Sequence, residues 1–78
     1  MRKYNLYITA KKGIFDPAGA TAQSALDNLG FAGVNSVKIG KLIELETADE
    51  VNTDMVETMC KKLLANPIIE DFRIEEVQ

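Results

Sequence analysis

The sequence predicts an α+β fold: a two-layer β-α-β-α-β chain with an antiparallel sheet, a long bent central strand and two helices on one face. Three observations carry this. Apolar residues alternate with polar ones near the N-terminus and again through the middle of the chain; two other stretches repeat their apolar residues at helical spacing; and 78 residues suffice for one domain. A chain this short buries only about 60–65% of its unfolded surface, so its own core is marginal. The single cysteine, Cys60, excludes an internal disulfide, and with no histidine a metal site lacks its usual ligands. Self-association remains the common source of extra stability, and the sheet is expected to be completed by oligomerisation.

The first strand is read over Lys3 to Lys11, with Tyr4, Leu6, Ile8 and Ala10 on one face and Asn5, Tyr7 and Thr9 on the other. A loop follows. Asp16 is a helix-capping type and Pro17 suits the first helical position, so a helix is expected from there to about Leu29. Its stripe of Ala18, Ala22, Ala25, Leu26 and Leu29 is small enough for close packing, and Gly30 supplies the stop. Gly13 and Gly19 near this helix start match neither dinucleotide nor P-loop spacing, and the Asp16 carboxylate stands where an anion would bind, so the glycines are read as structural.

The stretch Val34 to Thr47 reads as one long strand interrupted at Gly40-Lys41. A two-residue hairpin turn there would set Val37 across from Glu44 and mix charge into the apolar face. Continuity instead places Val37, Ile39, Ile43 and Leu45 on one face with Lys41 out of pattern, so a bend or bulge at Gly40 is preferred to a hairpin turn. Fourteen such residues span roughly 46 Å, whereas a 78-residue globule is only about 30 Å across. One half is therefore expected to pair within its own chain and the other to extend the sheet toward a second copy or a partner.

Thr47-Ala48-Asp49-Glu50 has the capping-box pattern, so a second helix is expected from Thr47, with Val51, Met55, Val56, Met59, Cys60, Leu63 and Leu64 as its apolar face. Cys60 lies in that face and reads as a buried hydrophobe, with no histidine to activate it. Asn66-Pro67 ends the helix. A last strand begins at Ile68, keeps Phe72 and Ile74 on the apolar face and frays over the closing Glu75-Glu76-Val77-Gln78.

Little in this inventory is catalytic. The acidic residues Asp49, Glu50, Asp54 and Glu57 are accounted for by a helix cap and solvent face, and Glu44 and Glu46 by the exposed face of a strand. Lys38 and Lys41 are the one suggestive basic pair, suited to a partner's acidic groups or to blunting a strand edge. The net charge of −3, with nine basic residues scattered along the chain, leaves no footprint for nucleic acid. No run of about 20 apolar residues spans a membrane, and MRKYNLYITAKK alternates where a signal peptide would have an apolar block. A cytoplasmic location is expected, with no membrane partner.

Three stretches taken together resemble a known family: Gly13-Ile14-Phe15-Asp16-Pro17-Ala18-Gly19, Val37-Lys38-Ile39-Gly40-Lys41-Leu42-Ile43-Glu44-Leu45, and Leu63-Leu64-Ala65-Asn66-Pro67-Ile68-Ile69-Glu70. In order, and over essentially the whole chain, they resemble the small PurS-type subunit of phosphoribosylformylglycinamidine synthase. The resemblance implies a single domain over residues 1–78, with a ferredoxin-like-related sheet, acting in purine biosynthesis. It implies a non-catalytic subunit that joins a large synthetase subunit to a glutaminase subunit and supports ammonia transfer between them. The complex uses ATP and Mg, this subunit is expected to bind no cofactor itself, and it is expected to self-associate to a dimer or tetramer. Carried over by motif position, Asp16, Pro17, Gly19, Lys38, Gly40, Lys41, Asn66 and Pro67 are the candidate interface and fold-shaping residues, with no catalytic or metal role. Ala18 departs from the glutamine frequent in the family at that position. A different class, a dimeric small-ligand regulatory domain of ACT or ferredoxin-like type, is the alternative. An RNA-binding module is disfavoured by the negative charge and the lack of a strand-borne aromatic cluster.

Overall fold

The computed structural model describes residues 1–77. The chain runs β1 (Arg2–Ala10), α1 (Pro17–Asn28), β2 (Lys41–Thr47), α2 (Thr53–Met59), a π-helical turn (Cys60–Leu64) and β3 (Glu70–Val77). The three strands form one antiparallel sheet in the order β2-β1-β3. The α+β class, the antiparallel sheet and the two helices are as expected, but the centre of the sheet is β1, not the Val34–Thr47 stretch. The charge pattern explains this. β1 buries Tyr4, Leu6 and Ile8 almost completely, while β2 and β3 carry the Glu, Lys and Arg residues that protect free strand edges.

Register fixes which residues share the core face. Tyr4 lies opposite Leu45 on one side and Glu76 on the other, Leu6 opposite Ile43 and Ile74, and Ile8 opposite Lys41 and Phe72. α2 and the π-helical turn cover this face, burying Val56 and Cys60 against Tyr4 and Leu6, with Ile43, Leu45, Val51, Leu64, Phe72 and Ile74 packed around them. The Tyr4 hydroxyl reaches through the layer and donates to the Val51 carbonyl at 2.8 Å. The opposite face is polar: the Tyr7 hydroxyl donates to Glu75 at 3.2 Å, and the Arg73 guanidinium lies 4.2 Å from the Tyr7 ring centre.

Several expected boundaries shift. Thr47 is the last residue of β2, held opposite Arg2, so it does not cap α2. The chain first turns, with Val51 N–H donating to the Ala48 carbonyl at 3.1 Å, and Asn52 then caps the helix by accepting from Met55 N–H at 3.0 Å. Past Met59 the helix widens to π spacing, where Ala65 N–H donates to the Cys60 carbonyl at 2.9 Å. That widening keeps Cys60 and Leu64 inward and leaves Leu63 82% exposed. β3 begins at Glu70, so Ile68 lies in the preceding turn, exposed. Glu75, Glu76 and Val77 remain paired with β1 instead of fraying, while Gln78 lies outside the described residues.

The largest departure concerns α1. Asp16 caps it and Gly30 ends it with φ +92°, as its sequence requires, but it does not pack on the sheet. It stands away beside residues 34–39, and together they form an arm that draws the chain out to 50 × 27 × 14 Å. Only β2 of the long predicted strand is hydrogen-bonded into the sheet, and no hairpin turn forms at Gly40.

Candidate functional site

The arm is held by a short set of polar contacts that follow from its sequence. Asp16 Oδ1 accepts from Gly19 N–H at 3.1 Å, the ordinary helix cap, while Oδ2 accepts from Ile39 N–H at 2.8 Å, 23 residues away. One turn further on, a Cβ on Gly19 would collide with the Val37 carbonyl, so glycine is what lets the returning chain touch the helix backbone. Gln23 Nε2 then donates to the carbonyls of Val34 and Asn35 at 3.0 and 3.1 Å. The two amide bonds, assisted by Lys38, hold the Asp16 carboxyl below its usual range.

Where the arm meets the sheet there is an open cavity of about 320 Å³ lined by Ile8, Ala10, Ile14, Phe15, Asp16, Pro17, Ile39, Gly40, Lys41, Ile69 and Glu70. Phe15 is 75% exposed at its rim, and Ile14, Ile39 and Ile69 are also exposed. Gly40 makes the junction possible, because a Cβ there would strike the Ile8 carbonyl and crowd the Thr9 methyl. Of the sequence-predicted residues, Asp16, Pro17, Gly40 and Lys41 line this cavity. Gly19 lies one turn along α1, and Lys38 is exposed nearby. Asn66 and Pro67 lie outside the cavity wall, in the turn before β3.

What ties that turn to the junction is Glu70, which closes the third family-like stretch but is not among the candidate residues. Its Oε1 accepts from Asn66 N–H at 2.8 Å and its Oε2 faces Lys41 Nζ at 3.6 Å. Asn66 returns the bond pattern, its carbonyl accepting from Glu70 N–H at 2.7 Å and its side-chain oxygen from Ile68 N–H at 3.1 Å. Lys41, out of place on the apolar face by pattern, is thereby matched with the acidic group across the end of β1. The spacing Asn66 to Glu70 was the available signal, since four residues around a tight turn bring a side chain back to a backbone amide.

The chemistry of this junction is that of a binding surface. Burial pushes the Cys60 thiol up, away from the thiolate form a nucleophile needs. Among the described residues no three Cys, Asp or Glu side chains cluster as metal ligands. The exposed apolar groups and a helix lacking a layer to cover describe a surface made to meet another protein.

The PurS model, described as phosphoribosylformylglycinamidine (FGAM) synthase, matches residues 3–78. Among solved structures, the chain is similar to Bacillus subtilis PurS, at 40% identity and TM-score 0.88 with 100% of both chains covered. It is similar to Methanocaldococcus jannaschii PurS, one of the subunits of formylglycinamide ribonucleotide amidotransferase in the purine biosynthetic pathway, at 41% identity and TM-score 0.86, covering 100% of this chain and 98% of that one. A chain of PurLQS from Thermotoga maritima matches at 25% identity and TM-score 0.81, covering 97% of this chain and 96% of that one.

Proposed function

The chain belongs to the PurS family of phosphoribosylformylglycinamidine (FGAM) synthase, and from that membership we propose that it is the small accessory subunit joining the synthetase and glutaminase subunits of that ligase. The observation that carries the reading is the full-length likeness to a chain of PurLQS, an assembly of three kinds of subunit. The reaction is the ATP- and glutamine-dependent conversion of formylglycinamide ribonucleotide to formylglycinamidine ribonucleotide. The ATP and Mg belong to the other subunits, and this one binds no cofactor and contributes no catalytic residue. Its part is to stabilise their docking so that ammonia released from glutamine reaches the synthetase.

Residues 1–78 act as one domain in this scheme, self-associated as a dimer or tetramer. Asp16, Pro17, Gly40 and Lys41 at the junction, with Gly19 and Lys38 along the arm and Asn66 and Pro67 in the turn before β3, shape the surfaces that meet other subunits. The place of work is the cytoplasm; among the described residues no helix is long and apolar enough to cross a membrane. A small-ligand regulatory role is not favoured by the family match.

Reconstitution tests this directly. The synthetase and glutaminase subunits are assayed for product with glutamine or with ammonium as nitrogen source, with and without this chain. The expected result is that glutamine-dependent synthesis requires the chain whereas ammonium-dependent synthesis does not. Full glutamine-dependent activity in its absence would sink the proposal.

A further inference from the structure

The junction cavity is not isolated. A second open cavity, about 330 Å³ and lined by Lys11, Lys61, Pro67, Glu70, Asp71 and Phe72, shares Glu70 with it. An apolar surface therefore runs from Phe15 and Ile39, past Glu70, to Pro67 and Phe72, and the exposed Ile68 and Ile69 of the turn before β3 adjoin it. Among the described residues no element covers it: α2 and the π-helical turn pack on the middle of the sheet, and α1 stands beside residues 34–39. Single apolar groups are ordinary on a surface, but a contiguous set around open cavities marks a place where another molecule sits.

The charged groups around this surface are not equally free. The carboxylates are occupied: both oxygens of Asp16 accept backbone amides, and Glu70 Oε1 accepts from Asn66 N–H. The lysines are not. Lys41 and Lys11 face Glu70 and Asp71 at 3.6 and 3.8 Å, too long for hydrogen bonds, so the three donors of each ammonium stay available. Lys12 and Lys38 are exposed, and among the described residues neither has a carboxylate within ion-pair distance. Of nine basic residues in the chain these four gather here against Asp16, Glu70 and Asp71, whereas the rest of the chain holds five basic and nine acidic residues. In an acidic protein this is the cationic end.

We propose that this surface seats an acidic, apolar segment of a larger subunit of the ligase, an aliphatic or aromatic side chain entering beside Phe15 and carboxylates being held by Lys11, Lys12, Lys38 and Lys41. Cations around an apolar centre match a segment of opposite charge, steer its approach and turn away cationic competitors. A second copy of this chain is a poor occupant, because Glu46, Asp49, Glu57, Glu75 and Glu76 are already engaged by cations of their own chain. This rests on the accessory-subunit reading and adds to it which end of the chain meets a larger subunit and what chemistry that subunit presents.

Binding of the full-length chain to the synthetase subunit and to the glutaminase subunit, separately and together, at low and at moderate salt, tests it. The wild type is expected to bind, and to bind more weakly as salt rises. Lys12→Glu with Lys38→Glu is expected to weaken that binding about tenfold and to flatten its salt dependence. Phe15→Ala is expected to weaken it on the order of tenfold by removing the apolar anchor, and Lys12→Arg with Lys38→Arg to bind as the wild type does. The sedimentation mass of each variant on its own is expected to equal that of the wild type. Variants that bind as tightly as a binding wild type overturn the docking surface and leave the accessory role standing. A fall in the variants' own mass overturns it too, by making a second copy the occupant. A wild type that binds neither subunit overturns the accessory role along with it.

Discussion

Asp16 is the residue on which the arm turns, because each of its carboxylate oxygens serves a different piece of chain. Oδ1 closes the first turn of α1, and Oδ2 anchors the amide of Ile39 just before β2 starts. Replacing it with alanine is expected to lower the thermal midpoint at neutral pH and to do so more than loss of an ordinary cap, since two segments separate. The pH dependence has a definite sign. The folded carboxyl is held below its usual range, so its contribution is present above the unfolded value near pH ~3.9 and is lost as pH falls through the lowered folded value. The gap between wild type and Asp16→Ala in midpoint against pH is therefore expected to close on acidification; a gap of constant size down to strong acid would show that the carboxylate charge is not the source. Glu70 illustrates the same economy: one carboxylate spans Asn66 N–H and the Lys41 ammonium, and so fixes the turn before β3 against the start of β2.

At the scale of elements, the arm is a helix and a returning segment in backbone contact, and Gly19 is what permits it. An alanine there places a methyl group against the Val37 carbonyl, so Gly19→Ala is expected to cost about 1–3 kcal/mol by overpacking and to act locally. Hydrogen exchange resolves this: the amides of α1 and the Ile39 amide lose protection while those of β1 keep theirs. Equal loss across the sheet would mean that arm and sheet unfold as one unit. Much of this was legible in the sequence. Alternation in β1 assigned Tyr4, Leu6 and Ile8 to the core, and Asp16, Pro17 and Gly30 marked the ends of α1. The start of α2 was not legible, because Thr47 satisfies a capping pattern that the ladder with Arg2 overrides, and Asn52 has no signature beyond being a capping residue. Nor could periodicity reveal the π-helical turn that swings Leu63 outward, since spacing arguments presuppose 3.6 residues per turn. The link from Glu70 to Lys41 pairs residues brought together only by the sheet order.

The whole molecule has the proportions of a part. Its radius of gyration is 15.8 Å, against about 11.5 Å for a compact chain of this length, and the excess comes from an arm that leaves Ala18, Ala25 and Leu29 of its apolar stripe exposed. From sequence, the length of the Val34–Thr47 stretch already exceeded one domain; the structure relocates that excess from the centre of a sheet to its edge, and leaves α1 uncovered there. A chain so built gains its remaining apolar burial when other chains cover it, so self-association links folding to assembly and makes stability depend on concentration. For a dimer that unfolds to separate chains, a hundredfold rise in concentration contributes about 2.7 kcal/mol per dimer. For about 156 residues melting together, that raises the midpoint by on the order of 5–10 °C. The expected observation is a midpoint in calorimetry or circular dichroism that climbs by several degrees across that range, with sharper melting as association saturates. A midpoint independent of concentration, in samples whose mass is monomeric throughout, would mean that the arm is stable uncovered and that the self-association does not occur.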